Sequence, residues 1–148
     1  MKTLNKALCI LPIMVLLGCS TANRAKENYQ DKQVPVSHEY SEVRKYELTW
    51  DQIFSPTLQK YYVYFYSTTC SHCWDLKDFI IEEALKRQDI FFVKSSSRDQ
   101  FTNDPNQSIG AENPGDIWIL GYPSLLKIQD KICTKSLAGN DKIYAELK

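Results

Sequence analysis

Cys70, Ser71, His72 and Cys73 set two thiols two residues apart, a spacing that lets a pair cycle between dithiol and disulfide. The stretch follows an aromatic, β-branched run, Tyr61-Tyr62-Val63-Tyr64-Phe65-Tyr66, and opens a helical pattern. The first turn of a helix has N–H groups without intrahelical partners, and the positive end of its dipole favours a thiolate on Cys70. His72 adds a second potential donor beside the same sulfur. A four-residue ring closes very little chain, so a disulfide here adds little stability by loop entropy and reads as reactive rather than structural. The same three side chains are potential zinc ligands. Structural zinc, however, wants four ligands converging tetrahedrally. His72 lies between the cysteines and no second ligand pair follows, so no metal is expected.

The elements that must hold this pair are legible around it. Tyr61 to Tyr66 reads as a central strand buried on both faces. Cys73, Leu76, Ile80, Ala84 and Leu85 recur at helical spacing, and Trp74 and Ile81 widen the stripe. Asp75, Lys77, Asp78, Glu82, Glu83, Lys86 and Arg87 fill the opposite face. Trp74 is read as core packing or as an apolar platform beside the thiols. Before the central strand, Val43 to Leu48 is expected as a first strand. Thr49-Trp50-Asp51-Gln52 has the form of a capping box, starting a short helix that Ser55-Pro56 ends. After the long helix, Ile90 to Val93 is a third strand, and residues 95–116 form a polar connection with turn signals at Pro105 and Pro114. Leu125 to Ile128 and Ile132 to Leu137 form a hairpin, and Asp141 to Leu147 closes as a helix. Cys133, in the second hairpin strand, reads as a buried small hydrophobe, with a regulatory or substrate-linking thiol as the sharper alternative.

The compartment is read from the N-terminus. Lys2 and Lys6 precede an apolar stretch, Ala7 to Leu17, too short to span a bilayer, which needs about 20 apolar residues. It reads as a signal-peptide core over residues 1–18. Leu16-Leu17-Gly18-Cys19 resembles the lipobox of bacterial lipoproteins, whose cysteine is lipidated (diacylglyceryl, palmitate) and becomes the mature N-terminus. An ordinary signal peptide or an uncleaved anchor is the alternative. Residues 19–42 are polar and are expected as a flexible tether, with His38 a solvated side chain in it. Residues 43–148 are long enough for one domain with a single core. The chain carries 18 basic and 18 acidic residues, with no basic cluster, which gives no support for nucleic-acid binding.

The order of elements resembles the thioredoxin family across residues 43–148. Three matches carry it: Cys70-Ser71-His72-Cys73 between the central strand and a long helix, Gly121-Tyr122-Pro123-Ser124-Leu125 before the hairpin, and Leu137-Ala138-Gly139 before the last helix. The resemblance implies an α/β thioredoxin-like fold, a mixed central sheet of four to five strands flanked by helices. It implies that Cys70 is the exposed nucleophile and Cys73 the buried resolving thiol. Pro123 would be cis against the sulfur pair, and Tyr122 would offer its backbone to a substrate peptide, with Trp74 beside it. A histidine before the second cysteine is typical of the family's oxidases and isomerases. Two residues depart from the family. Thr69 stands where thioredoxins carry Trp, and Tyr64 stands where they bury an acid that helps to deprotonate the resolving thiol. Lys94 is a candidate substitute for a lysine the family often places nearby, with a solvated strand-end lysine as the alternative.

Together these readings make the chain a lipid-anchored monomer on the extracytoplasmic face of a bacterial membrane. It would be a thiol–disulfide oxidoreductase acting on exported protein thiols and disulfides, exchanging electrons with a membrane partner and needing no cofactor beyond the Cys70–Cys73 pair. The alternative is a thioredoxin-like accessory or binding module of an export or bacteriocin system, in which the groove matters and turnover does not.

Overall fold

The computed structural model describes residues 37–148; the expected signal segment, lipid-bearing Cys19 and the first part of the tether lie outside them. The described elements are β1 (Glu47–Leu48), β2 (Lys60–Tyr66), α1 (Ser71–Arg87), β3 (Ile90–Lys94), β4 (Ser124–Gln129), β5 (Ile132–Ala138) and α2 (Asn140–Leu147), with 3-10 turns at Tyr40–Tyr46, Trp50–Gln52 and Pro114–Asp116. The five strands form one mixed sheet in the order β1-β3-β2-β4-β5. β1, β3 and β2 run parallel, and β4 and β5 are antiparallel additions on the other side of β2. No described helix is long and apolar enough to cross a membrane.

β2 is the centre of the fold because both of its faces are apolar. The period of two along a strand sends Tyr62, Tyr64 and Tyr66 to one face and Tyr61, Val63 and Phe65 to the other. The first face is covered by α1, α2 and Val43 of the N-terminal 3-10 turn, through Cys73, Leu76, Ile80, Ala84, Ile143 and Leu147. The second face carries 3-10 turns and irregular chain instead, with Trp50, Ile53, Ala111, Ile117 and Ile119 plugging it one by one. The Trp50 indole N–H donates to the Pro114 carbonyl at 3.0 Å and joins two of these segments. Helices and turns therefore flank a sheet whose strand order is thioredoxin-like.

The expected first strand from Val43 is corrected. The chain forms a 3-10 turn through Tyr46, and only Glu47 and Leu48 pair with β3. Tyr40, Val43 and Tyr46 recur every three residues, which matches a 3-10 turn rather than a strand. Ordered packing also begins earlier than Val43. Tyr40 stacks on Tyr66 with centroids 4.0 Å apart, and the His38 backbone N–H donates to Asp78 on α1 at 2.8 Å. The His38 ring, read as solvated, is mostly covered and pairs with Glu42 at 3.0 Å. Lys77, placed by periodicity on the polar face of α1, is 6% exposed. Its ammonium pairs with Glu39 at 2.9 Å and lies 4.6 Å from the centre of the Trp74 ring.

Candidate active site

Cys70 sits at the junction of β2 and α1 and caps the helix with its own sulfur. Its Sγ accepts the backbone N–H of Cys73, the third residue of α1, at 3.2 Å, the bond a Ser or Asp N-cap would make. An anionic sulfur in this position meets an N–H donor and the positive end of a 17-residue helix together. On its other side the Cys70 thiol donates to the Tyr122 carbonyl at 3.4 Å. The Tyr122–Pro123 peptide is cis, the isomer the resemblance implies, and Pro123 is buried where β4 begins. Cys70 is half-buried, whereas Cys73 is 1% exposed.

This difference in burial separates the two thiols chemically. Desolvation, with the Cys70 sulfur adding to it, pushes the Cys73 thiol up to about 12. Behind Cys73 stands an aromatic cluster. Tyr40 stacks on Tyr66, Tyr64 lies nearly parallel to Tyr66 at 6.2 Å, and Phe92 meets all three edge-on. The Tyr40 hydroxyl donates to the Cys73 carbonyl at 3.4 Å. Burial raises the Tyr40 and Tyr64 phenols far above their ordinary range, so both are neutral donors at any working pH.

The other residues singled out from the sequence fall into two groups. Tyr122, Pro123 and His72 come together around a cavity of about 440 Å³ that also touches Gly139, Asn140 and Lys142. His72 is exposed, and its Nδ1 lies 3.9 Å from the Asp75 carboxylate; the hydrogen bonds to the Cys70 sulfur come from elsewhere. Trp74 is 50% exposed and its indole N–H donates to the Thr68 carbonyl at 3.0 Å, so it is a surface platform and not core. Lys94 stands apart from the thiols. It is exposed at the end of β3 and lines a separate cavity with Glu47, Trp50 and Arg98. Cys133 is fully buried, and burial pushes its thiol up to about 11. Among the described residues no group of three or more His, Cys, Asp or Glu converges as a metal site would.

Three residues near the pair escaped the sequence reading. The Asp99 carboxylate accepts the Tyr122 hydroxyl and is itself held by the Ser96 N–H and hydroxyl at 2.9 Å each. Phe101, 53% exposed, meets the Tyr122 ring edge-on at 5.6 Å. Both come from the connection between β3 and β4, where a lone Phe in a polar run was the available signal. Tyr40 is the third, and its signal was the three-residue spacing to Val43 and Tyr46.

No family model matches the chain, and no curated protein matches it. Among solved structures it is similar to thioredoxin f2 of Chlamydomonas reinhardtii, at 17% identity and a TM-score of 0.44, over 68% of this chain and 91% of that one. It is similar to the thioredoxin of Plasmodium falciparum at 16% identity and a TM-score of 0.45, over 68% and 93% of the two chains. Spinach chloroplast thioredoxin f gives 14% identity and a TM-score of 0.46, over 68% and 81%. With its own strand order, a thiol pair opening the helix after the central strand, and a cis proline facing that pair, the chain has a thioredoxin-like fold.

Proposed function

We propose that this chain is a membrane-tethered thiol–disulfide oxidoreductase that acts on exported proteins through Cys70 and Cys73. The observation that carries the reading is the unequal placement of the two sulfurs. Cys70 is reachable, capped by an N–H donor and set against the cis-proline segment, while Cys73 waits buried one turn along. In the reducing direction the Cys70 thiolate attacks one sulfur of a substrate disulfide, a mixed disulfide forms, and the other substrate sulfur leaves as a thiolate. Cys73 then loses its proton and attacks Cys70 Sγ. The Cys70–Cys73 disulfide forms, the second substrate sulfur leaves, and two electrons have passed to the substrate. The reverse sequence oxidises a substrate dithiol, and a membrane partner would reset the pair in either case.

His72 favours the oxidising or isomerising direction by resemblance, and Cys19 would carry the lipid anchor. Tyr64 and Thr69 favour a second reading, an accessory module that keeps the groove and not the turnover. A Cys73→Ser variant in the producing cell is expected to accumulate mixed disulfides between Cys70 and its substrates, visible as species that collapse on reduction. A Cys70→Ser variant that keeps full biological activity would reject the oxidoreductase reading in favour of the accessory one. For the anchor, Cys19→Ser is expected to abolish fatty-acid labelling and to release the protein from the membrane fraction.

A further inference from the structure

Phe101 is the most exposed large apolar side chain among the described residues. A single exposed apolar ring on a loop is ordinary. This one is fixed, and fixed beside the thiol pair. Its backbone forms a parallel bridge with Ile119: the Thr102 N–H donates to the Ile119 carbonyl at 3.0 Å, and the Ile119 N–H donates to the Gln100 carbonyl at 2.9 Å. Ile119 is fully buried in the chain that leads into Tyr122 and Pro123, so the bridge is anchored in the core. The Phe101 ring meets the Tyr122 ring edge-on with centroids 5.6 Å apart, a favoured aromatic geometry. Tyr122 is held in turn at both of its ends. Its hydroxyl donates to Asp99, and its carbonyl accepts the Cys70 thiol at 3.4 Å. Tyr122 therefore joins the exposed Phe101 ring to the sulfur that would react.

Resting on the oxidoreductase reading, we propose that Phe101 and Tyr122 form a side-chain subsite that selects substrate cysteines flanked by a large apolar residue, aromatic or aliphatic. A substrate disulfide that reaches Cys70 Sγ passes beside Tyr122, which brings a residue flanking its cysteine to the Phe101 ring. Covering that ring removes apolar surface of both partners from water, and a backbone already held by the Ile119 bridge loses little freedom on binding. The local charge narrows the class further. Asp99 accepts hydrogen bonds from neutral donors, the Tyr122 hydroxyl and the Ser96 N–H and hydroxyl. Its neighbour Arg98 pairs with Asp51 instead, and Asp99 forms no ion pair with a lysine or arginine among the described residues. An Asp or Glu flanking the substrate cysteine would meet this uncompensated carboxylate as a like charge. The subsite thus takes an uncharged, bulky side chain and disfavours an acidic one. Phe101 acts on which disulfides are attacked and takes no part in the exchange itself.

The test uses the reduced chain and short peptides whose single cysteine is capped as an aromatic disulfide that releases a coloured thiolate. The residues flanking that cysteine are Phe, Leu, Gly or Glu, and the readout is the ratio of rates between peptides, which cancels any general change at Cys70. The parent is expected to react about tenfold faster with the Phe and Leu peptides than with the Gly peptide, and slowest with the Glu peptide. Phe101→Ala should bring the Phe-to-Gly ratio down to about one, and Phe101→Leu, which restores a large apolar side chain, should recover most of it. A parent ratio near one, a ratio that Phe101→Ala leaves at its parent value, or a Glu peptide as fast as the Phe peptide would overturn the proposal. So would a parent that sediments as a dimer while Phe101→Ala sediments as a monomer, because a second copy of the chain would then be what covers the ring. If the parent reacts with none of the peptides, the oxidoreductase reading fails, which is a separate result. The subsite is then judged by calorimetric binding of the same peptides with Ser in place of Cys. The parent should bind the Phe peptide about tenfold more tightly than the Gly peptide, and Phe101→Ala should bind the two alike; equal binding of the two by the parent would sink the subsite as well.

Discussion

Raising the pH should weaken the reduced protein through Cys73, by an amount that follows from its burial. The thiol is 1% exposed, and its pKa is pushed from an ordinary 9.0 up to about 12. Above pH 9 the unfolded chain releases the Cys73 proton while the folded chain keeps it. The folded state then binds more protons than the unfolded one, so stability falls with pH. The contribution is fully present below pH 9 and is lost as pH rises toward 12. From these two values the loss is about 1 kcal/mol at pH 10 and about 3 kcal/mol at pH 11. Cys133 and Tyr61, pushed up to about 11 and about 12, act in the same direction over the same range. The quantity to measure is therefore a difference. Urea unfolding of the reduced parent and of Cys73→Ala, at pH 8, 10 and 11, should show the parent losing more stability than the variant by about these amounts. Equal losses in the two proteins would mean that Cys73 is not held as a neutral thiol by burial. The proposed role of Cys73 as a buried resolving sulfur would then fall.

Removing Asp99 should uncouple peptide binding from intrinsic thiol reactivity. Asp99→Ala frees the Tyr122 hydroxyl, and one hydrogen bond of about 1 kcal/mol corresponds to about a fivefold slower reaction with a peptide disulfide. The reaction with a small disulfide should be unchanged, and equal slowing of both would refute the positioning role. Cys133→Ser puts a hydroxyl into a fully buried site whose nearest acceptor is the Lys135 carbonyl, 3.6 Å from the sulfur. It should cost about 1–2 kcal/mol in urea unfolding and leave both phases of exchange intact; a lost phase would give Cys133 a chemical role. Glu39→Ala strips the carboxylate from Lys77, whose side chain is only 7% exposed. Because Glu39 is itself largely in water, the cost should be about 1–2 kcal/mol rather than that of a fully buried pair. Glu39→Gln, which keeps an acceptor, should cost less, and unchanged unfolding of both variants would show that the pair contributes nothing.

The parts of the fold that could be read in advance are those whose pattern is set by one dominant packing demand. β2 must be apolar on both faces because structure covers both, and a continuous aromatic run states that directly. α1 carries a stripe because one face meets the sheet. Residues 95–116 show no period because the layer they build is irregular. It buries single side chains such as Ser108 and Ala111 between turns, and isolated insertions leave no repeat to detect. Lys77 was misplaced for a related reason. Helical periodicity assigns a face but does not foresee that Tyr40 and Glu39 fold back over α1 and cover it. At the site, residue types and spacing made the two cysteines and Pro123 legible. Asp99 and Phe101 reach the site from sequence-distant turns, which a linear reading does not bring together.

The cluster behind Cys73 is built from uncharged aromatic side chains, and burial gives the reason. A buried carboxylate beside Cys73 would itself have to be desolvated, and the Tyr40, Tyr66 and Phe92 side chains packed there carry no charge to compensate it. A phenol in the same place carries no charge to desolvate. Such a site holds Cys73 as a thiol, and under the proposed function it stays one until a mixed disulfide at Cys70 presents an electrophile one helical turn away. Under the proposed function, the order of events follows from the two environments: the half-exposed, N–H-capped sulfur would attack first and the buried sulfur second.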